Sequence, residues 1–248
     1  MDFKKIFTVT DHRPYPIPNQ FWIMKQVWLD LLFMHWKVPV EVIRKKIPKE
    51  LDIDLWEGQA YLGIVPFRME GIRPRFLLAV PWLSAFPELN VRTYVIKDGK
   101  PGVWFFSLDA TNPIAVEIAR TTFHLPYFNA DMKCIRTNDK VEYHSIRKDN
   151  RGRPAELKMK YEAISDVYLA TKGSLEHWLT ERYCLYTSAN ENCYRGEIHH
   201  LPWPLRKASC EIEINQMGEC HEITLPKNDP ILHFVDRIEV GVFKLNKL

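Results

Sequence analysis

Short apolar runs and two-residue alternations, broken by turn residues, cover most of this chain. Trp28 to Val38 is a near-continuous apolar run with His35 inside it, the pattern of a buried strand. Pro39 sits at a first-turn position and opens a helix predicted to reach about Ile47, with Val42 and Ile43 inward and Arg44, Lys45 and Lys46 outward. Leu51 to Leu55 alternates apolar and acidic residues as a one-sided strand. Glu57-Gly58 makes a turn, and Ala60 to Phe67 returns as a second strand. Leu89–Ile96 and Val103–Leu108 flank Lys97-Asp98-Gly99-Lys100, a hairpin with Asp-Gly at its tip. Pro113–Phe123 reads as a second helix, with Ile114, Ile118 and Phe123 inward.

Further along, 128–135, 140–147 and 156–164 read as three antiparallel strands. Ser174 caps a short third helix from Leu175 to about Arg182. Strands near 183–187, 194–200, 207–214 and 237–245 complete the pattern. Short strands joined by turns, with few helices, imply a β-rich α+β fold. Its largely antiparallel sheet should curl into a closed β-barrel or two packed sheets. No Gly/Ser-rich linker, repeat or low-complexity tract divides the chain, so residues 1–248 read as one domain. Residues 1–20, with prolines and aromatics between polar residues, read as an irregular N-terminal arm.

Composition narrows the function classes. The apolar fraction of 46%, with 13 Phe, 10 Tyr and 8 Trp, suffices for a sizeable core. Net charge is +3 with the signs interspersed, so no patch points to nucleic acid or to a membrane surface. Arg147 to Arg153, the densest basic run, contains Asp-Asn-Arg-Gly and reads as a solvated hairpin tip. Five cysteines without a Cys-x-x-Cys, behind a polar start with no apolar leader, fit reduced thiols and a cytoplasmic location. The greasy stretch from Phe76 to Phe86 is too short to span a membrane and is broken by Pro81. There is no Gly-x-x-x-x-Gly-Lys, Gly-x-Gly-x-x-Gly or Gly-x-Ser-x-Gly, which argues against P-loop, Rossmann and ordinary serine-hydrolase chemistry. The spacing of Cys and His offers no tetrahedral metal set, and His199-His200 on a strand would point to opposite faces. No metal and no cofactor is expected.

Three groups of residues could carry chemistry. Glu88, Asn90, Arg92 and Tyr94 share one face of a strand. If that face is solvated, the row is ordinary surface. If it faces a closed interior, it must satisfy itself and makes a site. In the second case Arg92 should pair with a carboxylate, Glu88 or Asp109. His35, in the most apolar strand, is either a core histidine satisfied by a carbonyl or a pocket acid–base group with a depressed pKa. Arg120, His124 and Tyr127 cluster where the second helix breaks into a strand. Arg120 has the structural alternative of pairing with Glu117.

Several phrases carry a resemblance. Leu32-Phe33-Met34-His35-Trp36, Phe86 to Tyr94, Phe105 to Ala110, Leu125 to Ala130, Thr180-Glu181-Arg182-Tyr183 and Ile198 to Pro204 resemble the YqjF-like family of bacterial proteins, over nearly the whole chain. That family implies no established activity. Residues 30–135 more distantly resemble acetoacetate decarboxylase, which implies a cone-like antiparallel β-structure around a ligand cavity. In that resemblance Glu88 matches an active-site Glu, Arg120 the Arg of Gly-Arg-Glu, and Pro126 the Pro before a Lys-Lys pair. Thr121 replaces the Glu of that motif, and Tyr127 and Phe128 replace the lysines, so Schiff-base chemistry is not expected. Lys133 is the nearest substitute.

The resulting expectation is a pocket protein binding a small organic acid or carbonyl compound. Arg92 or Arg120 would hold a carboxylate, with Asn90, Tyr94 and His124 lining the ligand site. Glu88 would serve as base, and Tyr127 and His35 as proton donors. The alternative reading is a small-molecule sensor with the same pocket and no turnover. The oligomeric state is left open.

Overall fold

The computed structural model describes residues 3–80 and 83–248, so the polar start at Met1 and Asp2 and the break at Pro81 lie outside it. The described chain opens with a 3₁₀ turn at Phe3–Thr8, then β1 (Met24–Val38), α1 (Val40–Arg44), β2 (Asp52–Ile53), β3 (Ala60–Pro74), β4 (Phe86–Lys97) and β5 (Lys100–Ala110). Next come α2 (Pro113–Phe123), β6 (Tyr127–Thr137), β7 (Lys140–Arg147), β8 (Glu156–Ala163) and α3 (Leu175–Thr180). β9 (Cys184–Ala189), β10 (Asn192–His199), β11 (Ala208–Asn215), a 3₁₀ turn at Glu219–His221, β12 (Ile231–Val242) and β13 (Asn246–Lys247) finish it. No described helix is long and apolar enough to cross a membrane.

This is a β-rich α+β fold whose sheet is ring-like. The pairing runs β5-β9-β10-β12-β1-β3-β4 and returns to β5 through the β4–β5 ladder. β6, β7, β8 and β11 extend outward from β5 as a meander. Pairing is antiparallel except at β5–β6 and β5–β9, which are parallel. The first exception follows from α2, which carries the chain back so that β6 runs in the direction of β5. Asp98 (φ 53°) and Gly99 (φ 71°) form the expected tight hairpin between β4 and β5.

Bulges aim the strands of the ring. On β1 the residues facing the ring's interior are Met24, Gln26 and Trp28, then Leu31 and Phe33. Their parity flips at Asp30, which has φ 52° and lies in a register shift against β3. On β3 the inward set changes from Val65, Phe67 and Met69 to Ile72 and Pro74 across Gly71, at φ 58°. On β5 it changes from Phe105 to Leu108, across a register shift that leaves Phe106 as the extra residue. One extra residue per bulge swaps which side chains face inward. β4 keeps strict alternation.

Buried ion pairs tie the meander to the ring. Asp30 accepts from Arg68 of β3 (Nη2, 3.1 Å) and Arg136 of β6 (Nη1, 2.8 Å), and its carbonyl accepts from the Tyr161 hydroxyl of β8 at 2.7 Å. Arg147 donates to Asp109 from Nη2 at 2.8 Å and from Nε at 3.1 Å, and its guanidinium lies 4.4 Å from the Phe128 ring centroid.

The N-terminal arm is anchored where Phe3 and Ile6 are buried in the Phe3–Thr8 turn. Several expectations are corrected. α1 stops at Arg44, and only Ile43 of its apolar pair is buried. On α2 Val116 is the buried residue and Ile114 is 47% exposed, whereas Ile118, equally exposed, and Phe123 do face the ring's interior. α3 ends at Thr180 because Arg182 folds back to donate from Nε to the Trp178 carbonyl at 2.7 Å. Arg147 and Asp149 are not solvated, since the first is drawn inward by Asp109 and the second is wrapped by Arg151.

Removing one member of a buried pair leaves the other charged and unsolvated. Arg147→Leu should therefore lower stability by about 3–5 kcal/mol in urea titration. A midpoint matching the parent would show that Asp109 does not need its partner.

Candidate functional site

The ring encloses a cavity of about 270 Å³. Its walls are mostly carbon, from Phe33, Val65, Phe67, Phe86, Phe105, Leu108 and Trp203 among others. The polar row of β4 faces inward: Glu88, Asn90 and Arg92 line the cavity and are 2%, 6% and 8% exposed. Tyr94, the fourth of the row, is fully buried just below the lining.

Arg92 is the cation of this row. Its Nε and Nη2 have no hydrogen-bond partner, and no carboxylate pairs with it among the described residues. It lies 5.1 Å from the Phe33 ring centroid and 5.9 Å from that of Tyr94. The carboxylate expected for it is absent because Asp109 is held by Arg147 and Glu88 by Tyr127. Gly63, its Cα partner on β3, makes the room: a Cβ there would sit 3.3 Å from Arg92 Cγ and 3.2 Å from His35 Cδ2.

Under Arg92, Tyr94 donates its hydroxyl to the Leu179 carbonyl at 2.7 Å. The 2.6 Å contact between that hydroxyl and His35 Nε2 then requires the imidazole to donate. Burial, helped by the charges of Arg92, His233 and Arg182, holds His35 neutral, well below its usual pKa. His35 thus supports the floor of the cavity through Tyr94 and does not line it.

Glu88 lies farther toward the opening. The Tyr127 hydroxyl donates to its Oε2 at 2.9 Å, and the Tyr143 hydroxyl donates to its carbonyl at 2.7 Å. Burial pushes the Glu88 carboxyl up to about 8, against the Tyr127 hydrogen bond and with help from the charge of Asp109. Burial and the neighbouring Glu88 hold the Tyr127 phenol well above its ordinary value. At neutral pH Glu88 is therefore largely protonated and does not neutralise Arg92.

Arg120 and His124 do not reach the cavity. Arg120 donates from Nη1 to the Tyr127 carbonyl at 2.6 Å and so fixes the start of β6. Glu117, its alternative partner, binds Arg151 at 2.8 Å. His124 ends α2 in the left-handed region, with its ring 5.2 Å from Tyr194. Lys133 is exposed in a groove on the meander with His144 and Lys158, and no described lysine lines the cavity.

Thr180, Arg182 and Trp203 are among the lining residues that sequence reasoning missed. Arg182 pairs with Asp54 and packs 4.5 Å from the Trp178 ring, which leaves Nη2 without a partner. Trp203 is held through its backbone N–H by Glu181 at 2.9 Å, and its Nε1 has no partner. Thr180-Glu181-Arg182 and Pro202-Trp203-Pro204 both lay within the family-like phrases, which was the available signal. Among the described residues, the buried lining atoms without a partner are four donors, on Arg92, Arg182 and Trp203, and one acceptor, Asn90 Oδ1.

Comparison with known proteins places this geometry in context. Residues 25–239 match the DUF2071 family, described as an uncharacterized conserved protein. The chain is 46% identical over 231 residues to the uncharacterized protein YqjF of Bacillus subtilis (strain 168), covering 93% of this chain and 95% of that one. Among solved structures, the enduracididine biosynthesis enzyme MppR complexed with pyruvate superimposes with a TM-score of 0.62 at 8% identity, over 92% of this chain and 91% of that one. An acetoacetate decarboxylase does so with a TM-score of 0.62 at 10% identity, over 97% and 98%. At such identities the likeness is one of fold.

The raised Glu88 pKa has a sign that can be measured. The folded state keeps a proton that the unfolded chain releases near 4.5. Glu88 thus contributes stability that is fully present below that pH and is lost as pH rises to about 8. Relative to Glu88→Gln, the parent should lose stability on the order of 5 kcal/mol across that window and then level off. A flat difference between the two proteins would refute the shift.

Proposed function

We propose, for a chain that belongs to the DUF2071 family of uncharacterized conserved proteins, that the cavity binds a small organic acid or carbonyl compound. Arg92 anchors the carboxylate, and Glu88 with Tyr127 forms a proton-transfer pair. The ring of strands is read as a cone-like β-barrel closed around that ligand.

The observation that carries the reading is Arg92, buried against the cavity with two unfilled nitrogen donors and no counter-ion among the described residues. A desolvated, unpaired cation costs several kcal/mol. An entering carboxylate supplies both the missing charge and the missing acceptors, in the bidentate geometry guanidinium favours. The pyruvate named with MppR, a keto acid on the same fold, supports the ligand class.

The chemistry is acid–base without a covalent adduct. A Schiff base needs an amine, and Tyr127 and Phe128 stand where that lysine pair would be. A carboxyl with pKa about 8 and a phenol in contact suit removal of a proton beside a carbonyl by Glu88. Tyr127 then donates to the oxygen that becomes an enol.

Solvent-deuterium exchange at the carbon beside the carbonyl of a bound keto acid, followed by NMR, tests this. Exchange should rise through about pH 8 and vanish in Glu88→Gln. Binding without exchange would identify a binding protein with no turnover. Arg92→Met should weaken carboxylate binding about a hundredfold while leaving melting temperature unchanged or raised, because no carboxylate is orphaned. A melting temperature lowered by many degrees would show that Arg92 is structural. Borohydride with acetoacetate should label no lysine; a stoichiometric adduct would overturn the non-covalent reading.

A further inference from the structure

The cavity is much longer than a three- or four-carbon acid requires. Arg92, Asn90, Glu88 and Phe86 line it in turn along β4, which is roughly 20 Å of strand. β3 continues the same wall past Met69 to Ile72 and Pro74. Arg92 and Glu88 are four residues apart, about 13 Å along the backbone. A pyruvate-sized acid on Arg92 therefore leaves most of the cavity empty.

Beyond Glu88 the wall is almost all carbon. Gln26, the polar exception, is turned to its own strand: it accepts from Trp28 Nε1 at 2.9 Å and donates to Met24 Sδ at 3.4 Å. The cavity meets the surface at Leu78, 87% exposed, and at Ile118 of α2, both of which also line it. Such an arrangement, cationic at one end and greasy from the middle outward, matches an amphiphile.

We propose that the ligand is an aliphatic carboxylate of about ten carbons, its head on Arg92 and its tail running past Glu88 to the opening between α2 and Leu78. This rests on the carboxylate reading above and adds the chain length. Two estimates bound the size. The roughly 20 Å of wall from Arg92 to Phe86 admits at most roughly fifteen carbons at about 1.3 Å each along a zigzag of 1.52 Å bonds. The volume of about 270 Å³ holds roughly nine groups at about 30 Å³ apiece.

Calorimetric titration with straight-chain carboxylates from four to fourteen carbons, each below its micelle concentration, tests the length. Affinity should rise about fourfold per methylene up to eight to twelve carbons and then stop rising. 1-Decanol should bind at least tenfold more weakly than decanoate. Leu78→Ser with Ile118→Ser, both at exposed positions, should weaken decanoate about tenfold and leave butyrate unchanged. If butyrate binds as tightly as decanoate, the amphiphile is wrong and the small-acid pocket stands. If no carboxylate binds, or decanol equals decanoate, the carboxylate reading itself falls.

Discussion

A guanidinium taken out of water must find a carboxylate, a ring of acceptors or a ligand, and this fold answers that demand differently at each site. Arg13 faces Glu197, Arg147 faces Asp109 and Arg182 faces Asp54. Arg92, equally buried, faces two aromatic rings and an open volume. The difference follows from competition for carboxylates. Asp109 sits on the other face of β5 and is claimed by the meander through Arg147, while Glu88 is kept neutral by its surroundings and bonded to Tyr127. Among the described residues of the lining, Arg92 is thus a buried cation without a carboxylate, whereas Arg182 has Asp54.

The rest of the site serves that charge. Gly63 clears the space beside it, and Tyr94 and neutral His35 form a floor that adds no second positive charge. Arg182 and Trp203 present further donors from segments that arrive after α3 and after β10. A site with surplus donors and one acceptor has a chemical preference before any ligand is identified.

Much of this was legible in the chain because β4 alternates without interruption. The period of two put Glu88, Asn90 and Arg92 on one face, and the apolar runs around them argued for an interior. Where bulges intervene, the same rule misleads. Asp30 stands inside the run from Trp28 to Val38, so nothing in the apolar pattern marks the residue at which facing reverses. Phe106 carries no local signal at all. Arg147 looked like part of a solvated tip because its partner, Asp109, is 38 residues away in sequence. His35 and Tyr94 illustrate another limit: a strand face shows which residues point inward, but not how deep the cavity reaches.

The bulges have a consequence for how such a chain can change over generations. Each acts as a phase reset, so the wall has something like a reading frame that restarts at Asp30, Gly71 and Phe106. Loss of the single codon for Asp30 would restore regular alternation in β1. Leu31 and Phe33 would still face the interior, now two and four places on from Trp28, but Arg68 and Arg136 would lose the carboxylate they share. The cavity wall would survive that loss, while the tie between ring and meander would not. Lineages of this fold should therefore vary freely in the length of their turns, absorb single gains or losses at the bulges, and elsewhere in these strands gain or lose residues in twos.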